Sequence, residues 1–206
     1  MSDTKDALLR AGEHLFAREG INGARINELT ELAGQRNQSA LHYHFGSREG
    51  LLEAIIERHL SRVDGARARL LQVVGPGASL RQLVAVVVAP LAEELATPSG
   101  RDYLRIIPQI LRSNVNPPAL MDTLKLAEPH LANLAEPVRH ERMRSMIQVV
   151  ATLLAARAIA IEDAEEKFLD EPAFIRNLIE MSTAILQAAV SDLDEVTLGE
   201  VSATSK

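Results

Sequence analysis

Cysteine and tryptophan are both absent from the 206 residues, and aromatic side chains make up only 3%. Without cysteine there is no disulfide framework, no thiol nucleophile and no thiolate zinc site. Long apolar runs are also missing. The longest, residues 83–92, contains Pro90 and is short of the ~18 residues that a membrane span needs, so no membrane partner is expected. The N-terminus, Met1-Ser2-Asp3-Thr4-Lys5-Asp6, is charged and leads into an amphipathic segment rather than a signal sequence. A cytoplasmic protein is expected. Runs of β-branched alternation are lacking, as are nucleophile motifs, phosphate-binding loops, dinucleotide fingerprints and metal-ligand spacings. No cofactor and no metal are expected.

What is present is helical periodicity, with 47% hydrophobic and 24% charged residues, enough to exclude a disordered chain. The balance is acidic: 22 Lys and Arg against 28 Asp and Glu give −6. Taken alone, that argues against a nucleic-acid binder, because phosphate neutralisation supplies most non-specific affinity. The excess is uneven, however. Residues 1–62 carry 8 basic and 9 acidic residues, and residues 63–206 carry 14 and 19.

Gly- and Pro-marked breaks divide the chain. Residues 20–23 close a first helix with an apolar stripe of Ala7, Leu8, Ala11, Leu15 and Phe16, and Gly34 closes a second built on Ile26, Leu29, Leu32 and Ala33. Ser47 is a plausible N-cap for a longer helix with Glu49 in its first turn. Gly75-Pro76-Gly77 is a linker before the capping-box pattern Ser79-Leu80-Arg81-Gln82. Asn116 as N-cap with Pro117 at the first helical position restarts a helix, and Asp170-Glu171-Pro172 opens the last. Pro90, Pro108 and Pro129 are expected to kink or interrupt their helices.

Residues 26–45 read as two short helices joined by a tight turn, a helix-turn-helix whose second helix can enter the major groove. With Asn37 as N-cap, Gln38, Ser39, His42 and Tyr43 share one arc, and Ala40, Leu41 and His44 lie opposite. Glutamine can bond adenine bidentately, serine reads several base edges, and tyrosine or histidine can bond phosphate. Arg36 in the turn and Arg48 at the next helix start would reach the backbone as charges. His42 and His44 point about 200° apart on a helix, so they do not form a metal pair. His44 reads as packed under the helix, and Glu49, Glu53 and Glu57 read as a solvated face.

The stretch from residue 8 to 52 resembles the DNA-binding domain of the TetR family of transcriptional regulators. The matching features are Ala11 with Leu15-Phe16, Gly20, Ile26, Leu29, Ala33-Gly34, Leu41 with Tyr43-His44-Phe45, and Arg48-Glu49-Gly50-Leu51-Leu52. Three features depart from the family's pattern. Gln35-Arg36-Asn37 lengthens the turn by one residue, His42 stands where a backbone-contacting tyrosine is frequent, and Arg25, able to touch phosphate, stands where a Ser or Thr cap is common.

The resemblance implies an all-α, homodimeric, ligand-responsive regulator that binds a double-stranded DNA operator and is released by a small-molecule effector. The expected layout is a three-helix DNA-binding domain at 1–46, a helical effector-binding and dimerisation domain at 47–193 with helix 47–62 connecting the two, and a mobile tail at 194–206.

Two broad apolar helices, at 139–161 and 171–191, suggest a symmetric intermolecular bundle through Met143, Ile147, Val150, Phe174, Leu178, Met181 and Ile185. A buried helix pair in a monomer is the alternative. Tyr103, Gln109, His130, Arg144 and Gln148, polar groups among aliphatic neighbours, are candidates for an effector pocket; ordinary surface residues are the alternative. Pro108 and helix 47–62 are the expected coupling elements. A protein-interaction module, or an enzyme with an unrecognised pocket, is the competing class.

Overall fold

The computed structural model describes residues 2–35, 37, 39–111, 117–164 and 169–189. Among these the chain is all-α, with nine α-helices, two short 3₁₀ turns and no strand. Arg36, Gln38, Asn116 and the tail at 194–206 lie outside the described residues.

Helices α1 (Ser2–Glu19), α2 (Ile26–Leu32) and α3 (Ser39–Phe45) form the N-terminal unit. Gly20 and Gly34 break the chain at φ +80° and +68°, left-handed values that an L side chain resists. Next comes α4 (Arg48–Val74), opened by the Ser47 hydroxyl, which accepts from the Gly50 N–H at 3.1 Å. This helix continues well past residue 62, because residues 63–74 contain no proline and Gly65 alone does not end a helix. Its inward stripe is Leu51, Ile55, His59, Val63 and Arg67, one residue every fourth position.

Helix α5 (Leu80–Ala92) starts at the Ser79–Gln82 capping box. A 3₁₀ turn at Glu93–Ala96 leads to α6 (Pro98–Leu111), where the Thr97 hydroxyl accepts from the Gly100 N–H at 3.0 Å. Helix α7 (Pro118–Ala127), a 3₁₀ turn at Glu128–Leu131, α8 (Glu136–Glu162) and α9 (Glu171–Gln187) complete the body. Asp170 caps α9 by accepting from the Ala173 N–H at 2.8 Å.

Several expectations need correction. Both α5 and α6 remain helical through Pro90 and Pro108, each close to its C-terminal end. Pro129, by contrast, does sit where α7 gives way to a 3₁₀ turn. Pro117 is the N-cap of α7 rather than its first residue, since a following proline disfavours helical torsions and leaves Pro117 extended at ψ 128°. Leu32 belongs to no apolar stripe and is 54% exposed.

Two cores organise the chain. One joins α1 to α4 through Leu8, Phe16, Leu29, Leu41, Leu51 and Ile55, and it takes in Tyr103, Ile106 and Ile110 from α6. The other is built from α5, α7, α8 and α9. Helix α6 therefore belongs in part to the core of the N-terminal unit. Helix α8 also has an 18-residue window of mean hydropathy 1.5, long and apolar enough by composition to cross a membrane. It holds no long unbroken apolar run, because Gln148, Thr152 and Arg157 interrupt it. In the fold Met146, Val150, Leu154 and Ala158 of this helix pack into the body's core.

Candidate nucleic-acid interface

Helix α3 is seated by Leu41, which is fully buried under it. On the opposite face Ser39, His42 and Tyr43 are exposed, Tyr43 to 75%. The side-chain oxygen of Asn37 accepts from the Ser39 N–H at 3.0 Å, satisfying one of the free amides at the helix start. His42 Nδ1 lies 2.9 Å from the Gly46 carbonyl, so this nitrogen donates. His44 is half-buried, between the rings of Tyr43 and Phe45.

Arg25 and Arg48 flank an open notch that also includes His42 and Ser47. Each has an acid beside it. Arg25 lies 3.7 Å from Glu28, and Arg48 donates to Glu49 at 3.4 Å and to the Asn22 carbonyl at 3.5 Å. Glu49's carboxyl is held below its ordinary pKa by a bond from its own backbone N–H, then by Ser47 and Arg48. The α4 N-terminus, a natural phosphate site, thus carries a resident carboxylate.

The expected effector residues separate. Arg144 and Gln148 line a groove of 410 Å³ between α7 and α8, with His140, Lys125, Met121 and Ile147. Tyr103 is buried and lines a smaller cavity of 70 Å³. Gln109 instead ties α6 to the reader: its side-chain oxygen accepts from the Ile21 N–H at 2.9 Å, and its amide donates to the Phe16 carbonyl at 3.4 Å. His130 is exposed and bonded to the Ala78 carbonyl at 3.0 Å. The polar groups of these two residues are bonded to the backbone, and neither residue lines either cavity.

Among the expected dimer residues, Met143, Val150 and Leu178 are buried in the chain's own core, a correction that follows from α8 packing against α9 within one chain. Ile147, Phe174 and Ile185 are half-buried, and Met181 is 43% exposed.

The most heavily bonded polar cluster escaped sequence reasoning. His59, fully buried on α4, has Nε2 3.0 Å from Glu13 of α1 and Nδ1 2.6 Å from Glu94 of the first 3₁₀ turn. Glu94 also accepts from Arg62 at 2.8 Å, and Glu13 accepts from the Ser99 hydroxyl at 2.6 Å. Burial opposes the charge on His59, but the bonds to Glu13 and Glu94 outweigh it, so its pKa is raised. Burial likewise opposes ionisation of Glu94, and the bonds from His59 and Arg62 overcome it and lower its pKa. The imidazole, set between two carboxylates and with Arg62 2.7 Å from its Nδ1, therefore joins the N-terminal unit to the body. The available signal was a histidine in the register Leu51, Ile55, His59, Val63, where an apolar residue is expected.

A short exposed helix, held by two others over an apolar core and offering Ser, His and Tyr outward, defines a helix-turn-helix protein. Residues 8–55 match the family described as bacterial regulatory proteins, tetR family, so the N-terminal unit is similar to that family over about a quarter of the chain. Over 85 residues the chain is 35% identical to the HTH-type transcriptional repressor NicS of Pseudomonas putida; the matched stretch covers 41% of this chain and 40% of that protein. The chain thus matches only about two-fifths of the length of its curated relative. Among solved structures, a TetR-family regulator from Streptomyces coelicolor overlays on 91% of this chain and 96% of its own, at 19% identity and TM-score 0.45. The TetR family transcriptional regulator PfmR from Thermus thermophilus overlays on 89% and 99%, at 19% identity and TM-score 0.44. The family is one of transcriptional regulators, not enzymes.

Proposed function

We propose that this chain is a DNA-binding transcriptional repressor that acts as a homodimer and leaves its operator when a small molecule occupies the body. The observation that carries the reading is the two-faced α3, with Leu41 fully buried and Ser39, His42 and Tyr43 outward, inside the stretch that matches the TetR family. Gln38 and Arg36 complete the reading face by sequence position, and Arg25 and Arg48 supply phosphate contacts.

Two copies place two α3 helices in successive major grooves about 34–36 Å apart. Their partly exposed α8 and α9 side chains, Ile147, Phe174, Met181 and Ile185, supply the apolar contact. The division at 1–46 and 47–193 is kept as part of this reading, although the N-terminal core also draws on Leu51 and Ile55 of α4 and Tyr103, Ile106 and Ile110 of α6. A DNA-reading role belongs in the bacterial cytoplasm.

The test is fluorescence anisotropy with DNA from upstream of the protein's own gene, together with light scattering at micromolar protein. Saturable binding that weakens with salt, by a dimer, is expected. Affinity unchanged in the double variant His42→Ala, Arg48→Ala sinks the reader assignment, and a monomeric mass removes the two-half-site arrangement.

A further inference from the structure

The 70 Å³ cavity lies between α4, α5, α6, α7 and α8. Its walls are aliphatic, with Leu60, Val87, Ile107, Leu120 and Val150 each supplied by a different helix. Arg67 and Tyr103 are its two polar lining residues. A guanidinium in such a chamber is unusual, because burial disfavours its charge and indeed lowers its pKa.

Arg67 has a side chain only 5% exposed, and one of its terminal nitrogens is paired with Asp64. Its Nε has no hydrogen-bond partner among the described residues. A buried N–H without an acceptor is costly, and a carboxylate is the acceptor that a guanidinium fork matches best. Burial also raises the pKa of the Tyr103 phenol, which keeps its proton and can donate. Both residues line the same chamber.

We propose that the body binds an aliphatic monocarboxylate, with its head on Arg67 and Tyr103 and its hydrocarbon tail along the wall that the chamber shares with the α7–α8 groove. The inference rests on the effector-binding reading above and specifies its ligand class. Size supports the arrangement. The chamber is about half of a cavity that holds benzene, so it takes the carboxylate and the first carbons. The 410 Å³ groove shares Leu111 and Ile147 with it as wall residues, so a longer tail would lie against those two side chains. Tyr103 is also stacked on His59, at 4.2 Å between centroids and 7° between planes. A carboxylate drawing on Tyr103 therefore bears directly on the cluster that holds α1 to the body.

The test is calorimetric titration of the full-length protein, without DNA, with hexanoate, hexanamide and hexylamine, and with the butanoate-to-decanoate series. Saturable binding of hexanoate is expected, at least tenfold tighter than hexanamide or hexylamine, as one charge-assisted bond implies. Arg67→Met should lose hexanoate affinity at least tenfold while keeping its circular dichroism. If that variant does not fold, Tyr103→Phe, which retains the ring stack, should still weaken binding several-fold. Arg81→Ala, in a surface ion pair with Glu180 away from both cavities, should leave hexanoate affinity unchanged. Equal affinity for acid and amide, no binding across the series, or full affinity in Tyr103→Phe with a loss at Arg144→Ala, in the outer groove, would overturn the proposal. Because DNA is left out, these outcomes are independent of the operator experiment. Hexanoate binding by a protein that ignores DNA would refute the repressor reading and leave this one standing.

Discussion

The imidazole of His59 lies flat against the ring of Tyr103, with centroids 4.2 Å apart and planes 7° apart, while its two nitrogens face Glu13 and Glu94. One side chain on α4 thereby touches α1, the first 3₁₀ turn and α6. Together with the Gln109 bond to Ile21 and the Ser99 bond to Glu13, this residue fixes how the N-terminal unit sits on the body.

Substitution His59→Phe keeps the stack and removes both N–H donors. Glu94 retains Arg62 and Glu13 retains Ser99, yet two buried carboxylates lose the ring nitrogens they share. A loss of about 3 kcal/mol is expected, measured as a shift in the urea unfolding midpoint. The same variant should change the pH profile. The charged groups facing His59 are Glu13, Arg62 and Glu94, with the Tyr103 phenol beside them. His59's pKa is raised above 6.5, so its stabilisation is complete below 6.5 and fades as pH rises through the folded value. Glu94's pKa is lowered below 4.5, so its contribution is present above 4.5 and fades as pH falls through the folded value. Stability from this pair should peak between those limits, and His59→Phe should flatten the alkaline limb. An unchanged limb would show that the imidazole is neutral.

Leu41→Ala and Tyr43→Ala separate seating from reading. The first empties a fully buried site and should cost about 3 kcal/mol in unfolding. The second trims a ring that is 75% exposed and should stay within about 0.5 kcal/mol in stability. Tyr43→Ala should nevertheless weaken operator binding about tenfold in anisotropy.

Glu49→Gln removes the carboxylate that occupies the start of α4 beside Arg48. Tighter DNA binding is expected, by roughly threefold at low salt, with a steeper dependence of affinity on salt. Weaker binding would mean that Glu49 positions Arg48 for the contact.

Gly50→Ala should disrupt the junction of α3 and α4. A Cβ there would lie 2.0 Å from the Phe45 carbonyl oxygen, a backbone atom that cannot step aside. A loss of about 2 kcal/mol or more is expected in thermal unfolding. Gly77→Ala, where a Cβ meets nothing within 4 Å, should be neutral or slightly stabilising.

Local chemistry made much of this legible beforehand. Glycines marked the breaks at Gly20, Gly34 and Gly75, and Ser47, Ser79 and Asp170 marked helix starts, because caps and left-handed turns depend on neighbours a few residues away. The two faces of α3 followed from helical period alone. Periodicity could identify Met143, Val150 and Leu178 as apolar, but not whether their partner was the same chain or another copy. Gln109 and His130 looked like isolated polar groups because their backbone partners, Ile21 and Ala78, are far away in sequence.

The sequence by itself determined that the protein is helical, where most helices begin and which residues of α3 face outward, since these depend on torsional preference and on spacing along one helix. Only the tertiary structure decided what long-range contact decides. It buried His59 between Glu13 and Glu94, left Arg67 with an unpartnered N–H in an aliphatic chamber, and put Tyr103 of α6 into the reader's core. The physical reason is burial. The same charged side chain is a solvated surface group or a costly interior one according to what packs over it, and the packing comes from helices far away along the chain.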